Sequence, residues 1–253
     1  MIQAEGLQKV FENRKTGVRK AVADVTFSVR AGEIFGLLGP NGAGKTTTLR
    51  MLATILKPTA GSAEINGHDV VRSAAAARRQ IGFLSGDMGQ YGRLTPREAL
   101  TFFASLAGMN RSRVRTRVYE LIEHFNLVSY SDTKIDKLST GMKQKVAIAR
   151  AVVHDPPVLI LDEPSSGLDV PGARQIEEFI QSAKRLGKCI LFSTHVMEEA
   201  EYLCDRLAVV NQGRVTASGT MDELRKMTGK QRLRDIFLDL LGMKETVASE
   251  VRA

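Results

Sequence analysis

The run Gly39-Pro-Asn-Gly-Ala-Gly-Lys-Thr-Thr47 combines the residue types that hold a polyphosphate. It fits the pattern G-x-x-x-x-G-K-[ST], with an apolar stretch Glu33–Leu38 before it and a helical pattern Thr46–Ile55 after it. A glycine-rich turn entering a helix leaves backbone N–H groups unpaired and aimed at one spot, where the helix dipole favours negative charge. Gly39, Pro40, Asn41, Gly42, Ala43, Gly44, Lys45, Thr46 and Thr47 would form that cradle. In it Lys45 is expected at the β- and γ-phosphates and Thr46 on Mg2+.

Two further sites have matching chemistry. Val158-Leu-Ile-Leu-Asp-Glu163 is an apolar strand ending in two carboxylates, aimed at the crevice where α/β sheets bind ligands. Asp162 is expected to hold Mg2+ through water, and Glu163 to orient and polarise the attacking water. His195 follows the apolar run Cys189–Thr194. If that strand lies beside the Asp162 strand, His195 becomes a γ-phosphate contact and water positioner. His68, His124 and His154 lack such context, and no His/Cys cluster has zinc-ligand spacing. In Leu138-Ser-Thr-Gly-Met-Lys-Gln-Lys145, Ser139 caps a helix that continues to Val153, a second helix start able to hold an anion. Taken alone, that segment reads as an ordinary capped helix; its combination with the other motifs makes it a candidate anion site.

The elements that must position these residues are those of an α/β chain. Val22–Val29, Ser62–Val70 and Ile81–Leu84 read as strands. At Thr95-Pro-Arg-Glu98 the period turns helical, with Thr as cap, Pro at the first helical position and Glu three residues on. Helical patterns run to Leu106 and over Val114–Phe125. Short apolar runs typical of buried parallel strands return at Val158–Leu161 and Cys189–Thr194, with a helix Ala173–Leu186 between them ended by Gly187. A strand pair Leu207–Asn211 and Arg214–Ser218 leads to helices at Met221–Met227 and Arg232–Leu241. The expected organisation is a P-loop core with a parallel sheet and an N-terminal antiparallel portion (1–86 and 156–220), a helical insertion (87–155) and a C-terminal helical appendage (221–253).

Bulk properties narrow the classes. The 253 residues suffice for one large domain or a core with a subdomain. Cys189 and Cys204 form no C-x-x-C pair, as expected of a reduced cytosolic protein. The N-terminus is too polar for a secretory signal, and no apolar run nears the roughly 20 residues that span a bilayer, so a membrane role is expected to come through a partner. The net charge of +8 is richest at Arg111-Ser-Arg-Val-Arg-Thr-Arg117, where Arg113 and Arg117 share a helix face that is either solvated or a binding patch.

In order and spacing these segments resemble the nucleotide-binding subunit of an ATP-binding-cassette (ABC) transporter over nearly the whole chain. Gly39–Thr47 resembles its Walker A motif, Leu138–Gln144 the signature, Val158–Glu163 Walker B, Ser166–Asp169 the D-loop and His195 the switch histidine. Phe11 stands where the family carries an aromatic that stacks on adenine, with a core phenylalanine as the rival reading. Ala53–Gly61 and Ser139–Lys145 are similar to the sodium-export type, which works with a separate ABC-2-type permease.

The resemblance implies ATP and Mg2+ as cofactors and a peripheral place on the cytoplasmic face of the membrane. It also implies a head-to-tail pair, either homodimer or heterodimer. In that pair Ser139 and Gly141 of one chain face the γ-phosphate held by Lys45 of the other, and Asp169 of the D-loop is implied as a further nucleotide contact.

Two departures stand out. Thr140 replaces the usual glycine of Ser-Gly-Gly, tolerable if its φ stays negative. Gly86, followed by Asp87, occupies the usual Q-loop glutamine position, with Gln90 out of register, so weaker hydrolysis is expected. The rival readings are a nucleic-acid ATPase, which the basic charge allows but for which the long insertions are missing, and a weakly catalytic regulatory module.

Overall fold

A computed structural model describes residues 1–13, 17–85 and 91–242. Gly86, Asp87 and Gln90, on which the expectation of weaker hydrolysis rests, lie outside the described residues, as do 243–253. In chain order the elements begin β1 (Ile2–Asn13), β2 (Gly17–Val29), β3 (Ile34–Leu38), α1 (Lys45–Leu52), β4 (Ala60–Ile65), β5 (His68–Asp69), α2 (Ala74–Arg79) and β6 (Ile81–Leu84). Three helices follow, α3 (Pro96–Leu106), α4 (Arg111–His124) and α5 (Thr140–Ala151). The chain then forms β7 (Val158–Asp162), α6 (Val170–Arg185), β8 (Cys189–Thr194), α7 (Met197–Leu203), β9 (Arg206–Asn211), β10 (Arg214–Gly219), α8 (Met221–Thr228) and α9 (Leu233–Leu240).

Among the described residues the strands form one sheet in the order β5-β4-β1-β2-β10-β9-β3-β8-β7-β6. β6, β7, β8, β3 and β9 run parallel; β1, β2, β4 and β5 are antiparallel. β10 is antiparallel to β9 and meets β2 at Arg214↔Asp24. β3, β7 and β8 are buried at every position, as strands covered on both faces must be. Their alternation divides the core. Val158 and Ile160 face one cluster with Leu49, Met51 and Leu52 of α1, while Leu159 and Leu161 face another with Leu100, Leu121, Ile148 and Ile180 of α3–α6. The helical segment therefore shares its core with the sheet. α8 and α9 do the same, packing Leu224, Leu233, Ile236 and Phe237 with Leu38, Leu207 and Val209.

Local signals account for most boundaries. Thr95 and Glu98 form the expected reciprocal cap, and Thr220 with Glu223 repeats it at α8. α1 is shorter than expected: it stops at Leu52, and Thr54 takes a left-handed φ of +61°. α6 begins earlier than expected, at Val170, because Asp169 accepts from Gly172 N and Pro171 fits the first turn. Arg117 does not lie on a solvated face: its guanidinium donates to Val152 O (3.0 Å) and Val153 O (3.2 Å), capping the end of α5.

Candidate active site

The phosphate loop joins the C-terminal end of β3 to α1. Gly39 passes so close to the Val210 carbonyl that a Cβ would collide with it. Gly44 has φ +105°, and a Cβ there would sit 2.6 Å from Ala21 O. The loop is held from beneath by the β9–β10 turn, where Gly213 N donates to Ala43 O (2.8 Å) and Gly213 O accepts from Ala23 N (2.7 Å). This clamp joins the antiparallel and parallel halves of the sheet directly under the loop. α1 starts with no side-chain cap, so its first N–H groups stay open to a ligand.

Lys45 is 5 % exposed, and its Nζ donates to Gly39 O (2.6 Å) and Pro40 O (3.2 Å). Burial pushes its pKa down, opposed by the charges of Glu163 and Asp162. A pocket of about 110 Å3 is lined by Asn41, Gly42, Ala43, Gly44, Lys45, Thr46 and Thr47, together with Glu163 and Arg19.

Adjacent strand ends deliver the carboxylates. Asp162 at the tip of β7 is in register with Ser193 of β8. Asp162 Oδ1 accepts from Ser193 Oγ (2.5 Å) and from Thr46 Oγ1 (3.1 Å). One step on, Glu163 turns out of the strand at φ +49°, its N–H donating to Ser193 O (3.1 Å). Its Oε1 lies 3.1 Å from His195 Nδ1. Lys45, Thr46, Asp162, Glu163 and His195 thus converge on one edge of the sheet.

The remaining candidates are more dispersed. Ser139 caps α5 through Met142 N (3.3 Å), and Thr140 begins that helix without positive φ, the condition under which its side chain is tolerable. Gly141 faces Leu168, and Gln144 Nε2 donates to Pro164 O (2.8 Å), so the start of α5 abuts the segment after Glu163. Asp169 Oδ1 is engaged as the cap of α6. Phe11 is 39 % exposed on β1 with Lys9 Nζ 5.2 Å above its ring, which rules out the core reading.

The sequence reading missed three residues here. Arg19 pairs with Phe11 across β1–β2 and reaches the phosphate pocket, a placement only the strand register discloses. Ser193 was hidden inside an apolar strand. Glu199 lies on α7 and accepts hydrogen bonds from the hydroxyls of Ser165 and Thr194; a carboxylate four residues after His195 was the available signal.

Comparisons with known proteins bear on the family of the chain. The family described as ABC transporter matches residues 22–166. The ABC transporter ATP-binding protein NatA of Bacillus subtilis (strain 168) is 40 % identical over 95 % of this chain and 98 % of its own. The Nod factor export ATP-binding protein I of Paraburkholderia xenovorans (strain LB400) is 44 % identical over 82 % of this chain and 68 % of its own. A solved dimeric ATP-binding cassette in a post-hydrolysis state, bound to ADP and Pi, superposes with a TM-score of 0.80 at 25 % identity, covering 87 % of this chain and 98 % of that one. The chain therefore belongs to the ABC transporter family as an ATP-binding subunit, an ATPase.

Proposed function

We propose that two copies of this chain, docked on a separate ABC-2-type permease at the cytoplasmic face of the membrane, use Mg2+-ATP to drive export of an ion or small molecule. The observation that carries the catalytic part is the meeting of Glu163 with His195 beside the Lys45 loop. Lys45 leaves its loop carbonyls for the β- and γ-phosphates, and the open N–H groups at the start of α1, Lys45–Thr47, take the remaining charge. Phe11 stacks on adenine. Glu163 orients the attacking water, and His195 holds both that carboxylate and the γ-phosphate.

Thr46 and Asp162 fit Mg2+. An alcohol and a carboxylate oxygen 3.1 Å apart are hard donors, and Mg2+ is commonly held by one or two protein ligands plus phosphate and water. Among the described residues no group of three His, Cys, Asp or Glu could form a fuller cage. When bound, the ion would neutralise charge on the phosphates.

Pairing is supported by the exposed start of α5. Ser139 and Gly141 of one copy would meet the γ-phosphate on the other, with Asp169 at the seam. Residues 87–155 would move with the nucleotide against the α/β core. A groove of about 800 Å3 between α2, α3 and α5 supports docking of the permease there. Arg78, Arg79, Arg113 and Arg150 line it together with Phe83 and Phe103, and among the described residues no acid does. Among the described residues no helix is long and apolar enough to cross a membrane. Steady-state ATP hydrolysis tests the reading: Glu163→Gln is expected to lower kcat at least about 100-fold, and undiminished turnover would refute it.

A further inference from the structure

Glu199 is 6 % exposed, in the first turn of α7, four residues after His195. Its partners are hydroxyls: Oε1 accepts from Ser165 and Oε2 from Thr194. No cation lies within ion-pair distance of it among the described residues. A buried carboxylate satisfied only by two hydroxyls is costly compared with an apolar side chain of similar volume. What it supplies is geometry.

Each hydroxyl belongs to a different functional segment. Thr194 directly precedes His195, and its Oγ1 also accepts from Val196 N (3.0 Å), so the turn carrying the imidazole is bracketed from both sides. Ser165 lies two residues after Glu163, in the segment that touches α5. There Gln144 holds Pro164 O, the Thr140 methyl lies 3.6 Å from where a Cβ of Gly167 would be, and Leu168 packs at Gly141. Ser166 and Gly167 are exposed, open to another surface. Glu199 therefore bridges the segment after the Glu163 carboxylate and the turn of its partner imidazole, behind the 3.1 Å contact those two make directly.

We propose that Glu199 is a positioning residue that locks the 164–168 segment to the His195 turn, so that a displacement of that segment resets the Glu163–His195 pair. It touches no substrate and acts only through Ser165 and Thr194. The inference rests on the ATPase reading above and assigns it a relay: from the start of α5, through Pro164–Leu168 and Ser165, to Glu199, Thr194 and the imidazole.

The test is steady-state hydrolysis of Mg2+-ATP by the full chain carrying Glu199→Gln, Ser165→Ala, both together, or Ser165→Thr. Glu199→Gln and Ser165→Ala are each expected to lower kcat about tenfold while KM for ATP stays within about twofold, the signature of a group that acts after binding. The double variant is expected to fall no further than the more impaired single one, because both cut one link. Ser165→Thr keeps the hydroxyl and is expected to retain kcat to within about twofold. Losses that multiply, a KM that rises in step with the fall in kcat, or kcat untouched by Ser165→Ala would each overturn the assignment. If Glu199→Gln fails to fold, the Ser165→Ala and Ser165→Thr pair decides alone. Wild-type turnover that does not depend on Glu163 would remove the parent reading and this one with it; Glu163-dependent turnover indifferent to these variants removes this one only.

Discussion

His195 Nδ1 stands 3.1 Å from Glu163 Oε1, across the ends of the neighbouring strands β8 and β7. The pairing depends on backbone geometry on both sides. Asp162 and Ser193 are in register, so Glu163, one residue past Asp162, and His195, two residues past Ser193, leave the ends of neighbouring strands side by side. Glu163 then takes a left-handed φ of +49°, a conformation costly enough to call for support, which comes from its N–H bond to Ser193 O. An imidazole N–H so placed restrains one carboxylate oxygen and leaves the other for water.

His195→Ala is expected to lower kcat for ATP hydrolysis by about 100-fold, with KM for ATP changed by less than about threefold. Steady-state kinetics on the purified chain check this. A kcat within about twofold of wild type would mean the contact is incidental.

Arg19 makes a prediction of a different kind. It lies on β2 opposite Phe11 and lines the phosphate pocket that it shares with Glu163. Its charge should assist ground state and transition state equally. Arg19→Ala is expected to raise KM for ATP by about tenfold with kcat unchanged, read from the same assay. A selective loss of kcat would place Arg19 in the chemistry.

Lys45 gives a pH signature. In the free protein burial holds its pKa below the ordinary 10.5, despite the attraction of Glu163 and Asp162. Bound phosphate adds negative charge beside the ammonium and raises that value. Between the two values the free chain holds fewer protons at Lys45 than the complex does, so binding takes protons up, and affinity falls as pH rises through the free-state value. Calorimetry in buffers of different ionisation enthalpy at a series of pH values up to 10.5, on Glu163→Gln chain, is expected to show net proton uptake that vanishes in the added Lys45→Met variant. No uptake, or release, would contradict the burial argument.

How much of this was legible in the sequence follows from where the information resides. The phosphate loop, the Asp162-Glu163 step and the Thr95 cap are local patterns, and their chemistry is set by near neighbours in the chain. β7 and β8 were readable because strands covered on both faces are continuously apolar. β1 was not, because register shifts between Ala4, Leu7 and Lys9 break its alternation, with Gly6 at φ +54° in between. The start of α6 was misplaced although Asp169 and Pro171 announced it: Asp169 had been assigned to nucleotide contact, and its capping role was overlooked. Arg19, Ser193 and Glu199 depend on strand register or on a seven-residue helix, α7, with no side-chain cap, so their neighbours appear only once the chain is folded.

The arginine-lined groove separates docking from catalysis. Arg150 is 8 % exposed, stacks 5.2 Å from the Phe103 ring and leaves Nη2 without a hydrogen-bond partner among the described residues. A buried guanidinium in that state favours an incoming carboxylate. Arg78 and Arg113, exposed on the rim, offer milder targets than Arg150 itself. The paired change Arg78→Glu and Arg113→Glu is expected to abolish co-purification with the cognate permease while basal hydrolysis stays within about twofold. Retained assembly would place the dock elsewhere.

The central claim is that ATP is sandwiched between two copies, each facing its partner's phosphate loop with the α5 start that Ser139 caps. Sedimentation of the Glu163→Gln chain, with and without Mg2+-ATP, tests it most directly. The account predicts a monomer without nucleotide, a dimer with it, and loss of that dimer when Gly141→Asp places a negative side chain at the α5 start. A Glu163→Gln chain that binds Mg2+-ATP yet sediments as a monomer would contradict it.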